Sequence, residues 1–397
     1  MSKLKLPIYL DYQSTTPVDP RVVEAMSPFF TDKYGNAHSR THAFGWESEA
    51  AVERAREQVA DAIGADANEI VFTSGATESN NLAIKGVLRF YKKKKNHLIT
   101  CLTEHTCVIK SARDLMHEGF NVTLLGVNRE GLIDLDALRD AITEKTALVS
   151  IMTVNNEIGV IQPVEEIGAI CRERGCFFHT DAAQAIGKVA FDVERTKADL
   201  VSISAHKTYG PKGIGALYVR AKPRVRLEPM FSGGGQEGGL RAGTLPTVLC
   251  VGLGQAMVIA MVEREEETKR LLGLRACLLD GIRARIEGVT VNGSLDARAP
   301  NNLNLSFAGV NSETLMMELR DLALSTGAAC SSASLEPSYV LEALGVEDVL
   351  ALSSIRIGLG RFTTQAEIDY AIDAFSEKVE KLRTHRTAQR PESVTAS

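Results

Sequence analysis

Short apolar runs alternate with amphipathic stretches between residues 69 and 219. Seven of these runs, rich in Val, Ile, Leu and Phe, predict strands at residues 70–72, 97–100, 122–125, 147–152, 176–179, 200–203 and 216–219. Apolar residues at helical spacing predict helices between most of them, at 78–91, 107–117, 135–142 and 164–174. This alternation is typical of α/β proteins with a mostly parallel sheet covered by helices on both faces. We therefore expect ligands at the carboxyl ends of the strands.

The pattern changes after residue 246. A long helical stretch at about 247–286 precedes strands predicted at 289–291, 303–307 and 354–357 and helices at 312–321, 337–344 and 364–382. A further helix is predicted at 46–63. We expect an N-terminal arm (1–20) that contributes to a small α+β domain, a large domain (21–260), the small domain itself (261–383) and a tail (384–397). The tail is expected to be disordered because it has almost nothing to bury.

Composition and charge argue against several classes of function. The 397-residue chain is 44% apolar and 24% charged, and its formal net charge of −5 argues against a nucleic-acid-binding surface. The first residues lack the apolar region of a signal peptide. The apolar segment 248–262 is too short to span a bilayer and contains Gly252, Gly254 and Gln255, which predicts a packed helix. We expect a cytoplasmic protein that binds neither membranes nor nucleic acid directly.

The cysteines do not form a metal-binding pattern. Seven cysteines are scattered along the chain, with no C-x-x-C pair and no cluster at zinc-ligand spacing. Reduced thiols of a cytosolic protein fit this distribution best. We therefore expect no resident metal.

Lys207 is the most informative single residue. It follows the apolar run 199–204, lies between Ser204 and a glycine-rich turn, and has His206 as its neighbour. A partly desolvated lysine at this position could form a Schiff base with an aldehyde, while the adjacent hydroxyl and imidazole hold a phosphate. The alternative is a surface lysine in a turn, which describes most lysines. The rest of a pyridoxal phosphate site would decide between the two.

A second polar segment offers a phosphate cradle. Residues 73–78, Thr-Ser-Gly-Ala-Thr-Glu, follow a predicted strand and open a predicted helix. The free backbone N–H groups around Ala76 and the Thr77 hydroxyl would form an anion site. The alternative is simple capping of the helix by Ser74 or Thr73. The segment is not a Walker A loop, because no G-K-[ST] follows.

Polar residues also end three further predicted strands. His105 could stack on an aromatic cofactor and relay protons, and Asn156 offers an uncharged hydrogen-bond partner. Asp181 follows an apolar run, where an acid needs either a helix to cap or a cation such as a pyridinium N–H. Gln184, three residues later, could reach the hydroxyl of the same ring. Together with Lys207, these residues predict a site for pyridoxal 5'-phosphate.

Two residues of the predicted small domain narrow the reaction. Cys330 lies among small and polar residues at 326–337, without apolar anchors, which predicts an exposed thiol on a mobile loop. Arg356 lies in an otherwise apolar predicted strand and needs a carboxylate. The α-carboxylate of an amino acid and a structural salt bridge are equally compatible with that position.

The motifs at these positions resemble those of cysteine desulfurases, most closely the housekeeping type that serves iron–sulfur cluster assembly in bacteria and mitochondria. The similar segments are 9–17, 72–79, 103–105, 154–159, 179–184, 205–213, 233–237, 241–244 and 329–337. The resemblance runs in unbroken order from about residue 6 to about residue 382. It implies a class V aminotransferase-like fold, which is pyridoxal-phosphate-dependent transferase fold type I. It also implies a homodimer whose sites are shared between subunits.

The resemblance also implies roles for individual residues. Lys207 would be the Schiff-base lysine, Asp181 the pyridinium partner and Cys330 the nucleophile. His105 would stack on the ring and assist proton transfer, and Gln184 would bond the ring hydroxyl. The phosphate would be held by Ala76, Thr77, Ser204, His206 and the partner subunit's Thr244. Asn156 would contact both the cofactor and the substrate. It would bind the substrate carboxylate together with Arg356.

The implied reaction converts L-cysteine to L-alanine. Lys207 would take the α-proton, and the Cys330 thiolate would attack the substrate sulfur and keep it as a persulfide. Acceptor proteins would then receive the sulfur: an iron–sulfur scaffold and other persulfide acceptors, including a tRNA-thiolation relay. Cys330 itself could ligate a cluster transiently on a partner scaffold.

The chain also departs from its relatives. Ala328 and Ser331 stand where close relatives usually have serine and threonine, and both changes are small. Relatives often have glycine at the position of Ala205 and arginine at the position of Gly238. The polar tail 384–397 replaces an aromatic-containing extension used for scaffold docking, so we expect weaker or differently placed docking.

A basic run offers another docking patch. Arg220, Lys222, Arg224 and Arg226 could contact acidic partners, or could simply form a solvated face.

Other readings of the chain remain. A selenocysteine lyase of the same fold is an open alternative, whereas a transaminase would not need Cys330. A non-catalytic relative would be expected to lack Lys207, Asp181 or Cys330, and all three are present.

Overall fold

The computed structural model describes residues 4–326 and 336–388 of the chain. The strands in these ranges are β1 (Ile8–Tyr9), β2 (Ile70–Thr73), β3 (His97–Cys101), β4 (Asn121–Leu125), β5 (Thr146–Ser150), β6 (Phe177–Asp181), β7 (Leu200–Ser204), β8 (Gly215–Val219), β9 (Val289–Val291), β10 (Asn302–Phe307), β11 (Leu322–Ala323) and β12 (Ser354–Gly358). The helices are α1 (Pro20–Met26), α2 (Pro28–Thr31), α3 (Ala43–Asp61), α4 (Ala76–Tyr91), α5 (Thr106–His117), α6 (Leu135–Ala141), α7 (Val164–Arg174), α8 (Val193–Thr196), α9 (Thr247–Arg285), α10 (Ser312–Glu318), α11 (Tyr339–Ala343), α12 (Asp348–Ala351) and α13 (Gln365–Ala388).

A seven-stranded sheet in the order β2-β8-β7-β6-β5-β3-β4 forms the centre of the large domain. The strands from β7 to β4 in this order pair in parallel, whereas β8 is antiparallel to both β7 and β2. All seven predicted strands are present, with ends within two residues of the predicted ones. The predicted α/β class with a mostly parallel sheet is confirmed.

Both faces of this sheet are covered, which explains the unbroken apolar runs of its strands. Successive residues of a strand point to opposite faces. Leu148 and Leu200 therefore belong to the core under α4 and α5, whereas Val149 and Val201 belong to the core on the other face, with α7. The carboxyl ends of the parallel strands meet at one edge, where the loops that follow them can form a site.

The small domain contains a second core. The antiparallel sheet β12-β10-β9 packs with α13 and the second half of α9. β1 pairs in parallel with β11, and the buried residues Ile8 and Leu10 belong to this core. Helix α13 continues to Ala388, so residues 384–388 of the expected disordered tail are helical. The remainder of that tail lies outside the described residues.

Helix α9 connects the two cores. Cys250, Leu253 and Met257 pack in the core of the large domain, and Leu274 and Leu278 pack in the small-domain core. The helix is long and apolar enough to cross a membrane by length and composition alone, but half of its most apolar window is buried inside the protein. It is therefore the packed helix that the sequence predicts. The expected domain boundary at 260/261 lies within this continuous helix, so its exact place stays a prediction.

Candidate active site

A cavity of about 530 Å³ lies at the carboxyl ends of β6 and β7 and the N-terminus of α4. This volume is typical of sites that hold small molecules, which measure about 300–1,000 Å³. Ten of the predicted site residues line it: Ala76, Thr77, His105, Asn156, Asp181, Gln184, Ser204, His206, Lys207 and Arg356. Thr244 is exposed and does not line this cavity, and Cys330 lies outside the described residues.

Lys207 ends a short 3-10 turn that follows β7. Its Nζ donates to the backbone oxygens of Gln13 and Ser14, at 2.6 and 2.7 Å. Both acceptors belong to the N-terminal arm, beyond β1. The arm therefore holds the lysine amine at the cavity wall. Sequence reasoning missed this contact, because a backbone carbonyl leaves no signal in residue type.

Asp181 ends β6 and is buried, at 7% exposure. Its Oδ2 accepts from Asn80 Nδ2 at 2.6 Å and its Oδ1 accepts from the backbone N–H of Ala183 at 2.9 Å. Both partners are neutral, so they hold the carboxylate without cancelling its charge. This negative charge contributes to raising the pKa of the neighbouring Cys107 thiol.

Asn80 is a site residue that sequence reasoning did not identify. It is fully buried on α4, three residues after Thr77, and lines the cavity. Its Nδ2 also lies 3.2 Å from Cys107 Sγ, while its Oδ1 has no hydrogen-bond partner among the described residues. Residues three apart share one face of a helix. The three-residue spacing between Thr77 and Asn80 could therefore have identified Asn80 as a site residue.

His105 has a defined tautomer. It is the N-cap of α5, and its Nδ1 accepts from the backbone N–H of Cys107 at 3.2 Å. A backbone N–H can only donate, so Nδ1 carries a lone pair and the neutral ring carries its proton on Nε2. Burial, helped by the charge of Lys207 and opposed by Asp181, lowers the pKa of His105. The ring is therefore neutral near pH 7.

The start of α4 lies at the cavity, where the anion cradle is predicted. Gly75 is the N-cap, with φ +146°, and no side chain caps the helix, so the alternative of capping by Ser74 or Thr73 is wrong. First-turn N–H groups have no helical carbonyl to bind, and Ala76 and Thr77 are both among the residues that line the cavity. A Cβ on Gly215 would lie 2.6 Å from the Gly75 Cα, so this close approach of β8 requires glycine.

The side of the cavity at the end of β7 carries a positive field. His206 Nδ1 lies 3.1 Å from the Thr15 hydroxyl. Burial, and then the charges of Lys207, Lys212 and Lys188, lower the pKa of His206 to about 4. The imidazole is therefore neutral and can donate or accept, while the lysines attract an anion.

Arg356 reaches the cavity from β12. Its Nη2 donates to Asp11 Oδ1 at 2.8 Å and to Ser14 Oγ at 2.7 Å, and its Nη1 donates to the Asn156 backbone oxygen at 3.0 Å. Its buried Nε has no partner among the described residues. Arg356 thus forms the salt bridge that the sequence left open and still lines the cavity. Its contact with a substrate carboxylate stays a prediction.

These residues fit pyridoxal phosphate. A buried carboxylate, a lysine amine and an anion cradle in a positive field surround one cavity of suitable volume. The unpartnered atoms Asn80 Oδ1 and Arg356 Nε are buried polar groups for which a bound ligand would supply partners.

The predicted basic docking patch is smaller than expected. Arg220 is 5% exposed, and its guanidinium pairs with Glu194 at 2.5 Å and with Asp199 at 3.7 Å. A buried and paired arginine cannot contact a partner, so its assignment to the patch is wrong. Lys222, Arg224 and Arg226 are exposed.

Comparison with known proteins identifies the family. The aminotransferase class-V family profile matches residues 8–371. The chain belongs to this family. A cysteine desulfurase IscS of Rickettsia bellii is 60% identical over 383 residues, which cover 96% of this chain and 93% of that protein. The solved structure of a NifS-like protein has a TM-score of 0.89 at 38% identity, and covers 95% of this chain and 100% of that one. A structure titled SspA in complex with cysteine has a TM-score of 0.81 at 39% identity, covering 90% of this chain and 99% of that one.

Membership of the family settles the fold type and the cofactor. The protein has pyridoxal-phosphate-dependent transferase fold type I, and pyridoxal 5'-phosphate is its cofactor. The resemblance to cysteine desulfurases is confirmed at high identity over almost the whole chain.

Proposed function

We propose that this protein is a pyridoxal-phosphate-dependent cysteine desulfurase in which Cys330 receives the sulfur. The observation that carries the activity is the 60% identity to a cysteine desulfurase over 96% of the chain. The balanced reaction joins L-cysteine and the Cys330 thiol to give L-alanine and a Cys330 persulfide. The sulfur–carbon bond of the substrate breaks, a sulfur–sulfur bond forms, and the proton that the thiol loses balances the one that the β-carbon gains.

The cavity residues supply distinct places for the parts of the cofactor. Asp181 would face the ring nitrogen and Gln184 the ring hydroxyl, with His105 stacked on the ring. The N–H groups at the start of α4, with Thr77, Ser204 and His206, would hold the phosphate. The bound cofactor supplies an electron sink for the substrate α-carbon.

Proton transfer falls to two residues of the chain. Lys207 is positioned at the cavity wall by the Gln13 and Ser14 carbonyls, and we assign it the α-proton. His105 is neutral with its proton on Nε2, so it offers a donor and not a base. The two residues therefore have opposite roles: one accepts a proton while the other holds one.

Arg356 and Asn156 are proposed to bind the substrate carboxylate. An arginine can bind a carboxylate with two parallel N–H donors. Arg356 already donates to Asp11, so the substrate must share or replace that contact.

The properties of Cys107, a cysteine at the cavity, support Cys330 as the nucleophile. Within residues 4–326 and 336–388, Cys107 is the cysteine that lines the cavity. Burial, and then the charge of Asp181, raise the pKa of its thiol to about 12. The thiolate is the nucleophilic form, so Cys107 is a poor nucleophile at neutral pH.

Matched variants of the two cysteines test this assignment. We expect Cys330→Ala to bind cofactor normally but to release no sulfide from L-cysteine with a thiol reductant, whereas Cys107→Ala keeps most of the activity. Lys207→Ala should lose the visible absorbance of the lysine-bound cofactor. Full sulfide release by Cys330→Ala would overturn the assignment of the nucleophile.

We further propose a homodimer in which the partner subunit's Thr244 completes the phosphate site, and acceptors that include an iron–sulfur scaffold and other sulfur relays. The exposure of Thr244 on this chain is compatible with contact to a second subunit. Light scattering coupled to gel filtration should give a dimer, and a monomer with full activity would contradict the shared site. We propose the cytoplasm as its location, to be tested by cell fractionation.

A further inference from the structure

Lys188 is a buried lysine outside the active-site cavity. It follows β6 by seven residues and is 9% exposed. Burying an amine is costly unless it makes a hydrogen bond, and an apolar side chain would fill the same space at lower cost. Within the described residues, the hydrogen bond of Lys188 Nζ is to Gln184 Oε1, at 2.9 Å. Lys188 Nζ therefore gives the Gln184 amide a buried hydrogen-bond donor, which an apolar side chain could not supply.

We propose that Lys188 is a positioning residue that fixes the side-chain amide of Gln184, so that its Nε2 presents a donor to the cofactor. The inference rests on the proposed function, in which Gln184 faces the ring hydroxyl. Lys188 and Gln13 hold the two ends of this amide. Oε1 accepts from Lys188, and Nε2 donates to the Gln13 backbone oxygen at 2.8 Å.

The geometry leaves one donor for a ligand. An Nε2 group carries two hydrogens. One is used by the Gln13 oxygen, and the second remains for the cavity that Gln184 lines. The same Gln13 oxygen accepts from Lys207 Nζ at 2.6 Å. Lys188, Gln184, the Gln13 carbonyl and Lys207 thus form a continuous chain of hydrogen bonds that ends at the lysine of the reaction.

The bond to Gln184 does not depend on the charge of Lys188. Burial, and then the charge of Lys207, lower the pKa of Lys188 to about 7, while Glu267 opposes this shift. Both the ammonium and the neutral amine carry N–H donors, so Oε1 keeps its partner in either form. The backbone of Lys188 is held separately, because its oxygen accepts from Thr268 Oγ1 at 3.2 Å.

Lys188 also borders a second cavity of about 490 Å³, beside α9. The charged side chains that line it are Lys188, Arg264, Glu265, Arg275, Asp296 and Arg298. The lysine therefore forms part of the wall between this cavity and Gln184. Methionine can span the same wall without offering a donor, which makes it the appropriate replacement.

The test is a double-mutant cycle on cofactor affinity. We expect Lys188→Met to raise the Kd of the apo-enzyme for pyridoxal phosphate about tenfold, the loss of roughly one hydrogen bond, and to shift the visible absorbance maximum of the loaded enzyme. In a Gln184→Ala background, Lys188→Met should change neither quantity further. Lys188→Gln, which retains a donor, should recover part of the affinity.

Thr268→Val is the matched control, because it removes the bond to the Lys188 backbone and leaves Nζ in place. It should leave the Kd and the spectrum unchanged. A crystal structure of apo Lys188→Met supplies a readout without cofactor, in which the Gln184 amide should leave the Gln13 oxygen.

Three results would overturn the role of Lys188: an unchanged Kd and spectrum in Lys188→Met, an equal effect in both backgrounds, or an unmoved Gln184 amide in the crystal. A wild-type enzyme that binds no cofactor would instead overturn the proposed function itself.

Discussion

The pairing of Arg56 with Glu237 allows a sharp test of how burial sets the strength of an ion pair. The Nη1 and Nη2 of Arg56 donate to the two carboxylate oxygens of Glu237, both at 2.8 Å, and the glutamate side chain is 1% exposed. The Nε of the same arginine pairs with Glu53 at 3.2 Å, but that glutamate is 56% exposed. One cation therefore has a buried and an exposed partner.

We expect the same change, glutamate to glutamine, to lower the free energy of unfolding by different amounts at the two positions. Removing one member of a buried pair costs about 3–5 kcal/mol, because the other charge stays buried without compensation. Since glutamine retains an acceptor oxygen, we expect Glu237→Gln to lower the free energy of unfolding by about 3 kcal/mol, the low end of this range. An exposed pair contributes about 0.2–1 kcal/mol. We therefore expect Glu53→Gln to cost less than about 1 kcal/mol.

Urea unfolding of the apo-enzyme at about pH 7.5, followed by circular dichroism, measures both values. Glu237 also accepts from the Phe72 backbone N–H, so it anchors the segment that carries Arg241 to β2. Arg241 in turn bonds Glu78 at the start of α4. Equal losses in the free energy of unfolding of the two variants would show that burial does not decide how much an ion pair contributes to stability.

Three further predictions concern the active site and its surroundings. Burial raises the pKa of Glu157 from 4.5 to about 7, so the stability that its protonated form supplies is lost as the pH rises through that interval. Between pH 4.5 and pH 8, the free energy of unfolding of the wild type should therefore fall by about 3 kcal/mol relative to that of Glu157→Gln. Arg356→Lys should raise the KM for L-cysteine at least about tenfold, with little change in the cofactor spectrum, because lysine cannot form the bidentate contact. Asn80→Leu should cost about 2 kcal/mol of stability, because Asp181 loses a charge-assisted hydrogen bond.

Each of these has a contradicting outcome. Parallel pH–stability curves for wild type and Glu157→Gln would show that this carboxyl does not titrate in the interval. An unchanged KM in Arg356→Lys would place the substrate carboxylate elsewhere. For Asn80→Leu, the neighbouring Asn81→Leu is the control, since the partners of Asn81 among the described residues are neutral, the Thr77 backbone oxygen and the Ser111 hydroxyl. Equal losses of stability in the two variants would show that the bond to Asp181 has no special role.

The sheet could be predicted from sequence because its strands are buried on both faces. Continuous apolar runs such as that of β7 have few other structural explanations, and polar residues directly after them mark the edge where ligands bind. Asp181 and Lys207 were identified in this way, and the structure brings them to one cavity.

Other features left little or no signal in the sequence. Helix α9 crosses from one core to the other without a glycine or proline at the expected boundary, so periodicity alone could not place the domain division. The contacts of Gln13 and Ser14 with Lys207 use backbone oxygens, which any residue type supplies. Lys188 and Gln184 are four residues apart in the sequence. Their hydrogen bond forms because Lys188 is buried, and the amino-acid composition does not reveal that burial.

The proposed function depends on the transfer of the L-cysteine sulfur to Cys330. The decisive measurement is mass spectrometry of peptides from enzyme treated with L-cysteine in the absence of reductant. We expect the added mass of one sulfur atom on the peptide that contains Cys330, and equimolar L-alanine in the solution. Added sulfur on Cys107, or L-alanine formed in equal amount by Cys330→Ala, would contradict it.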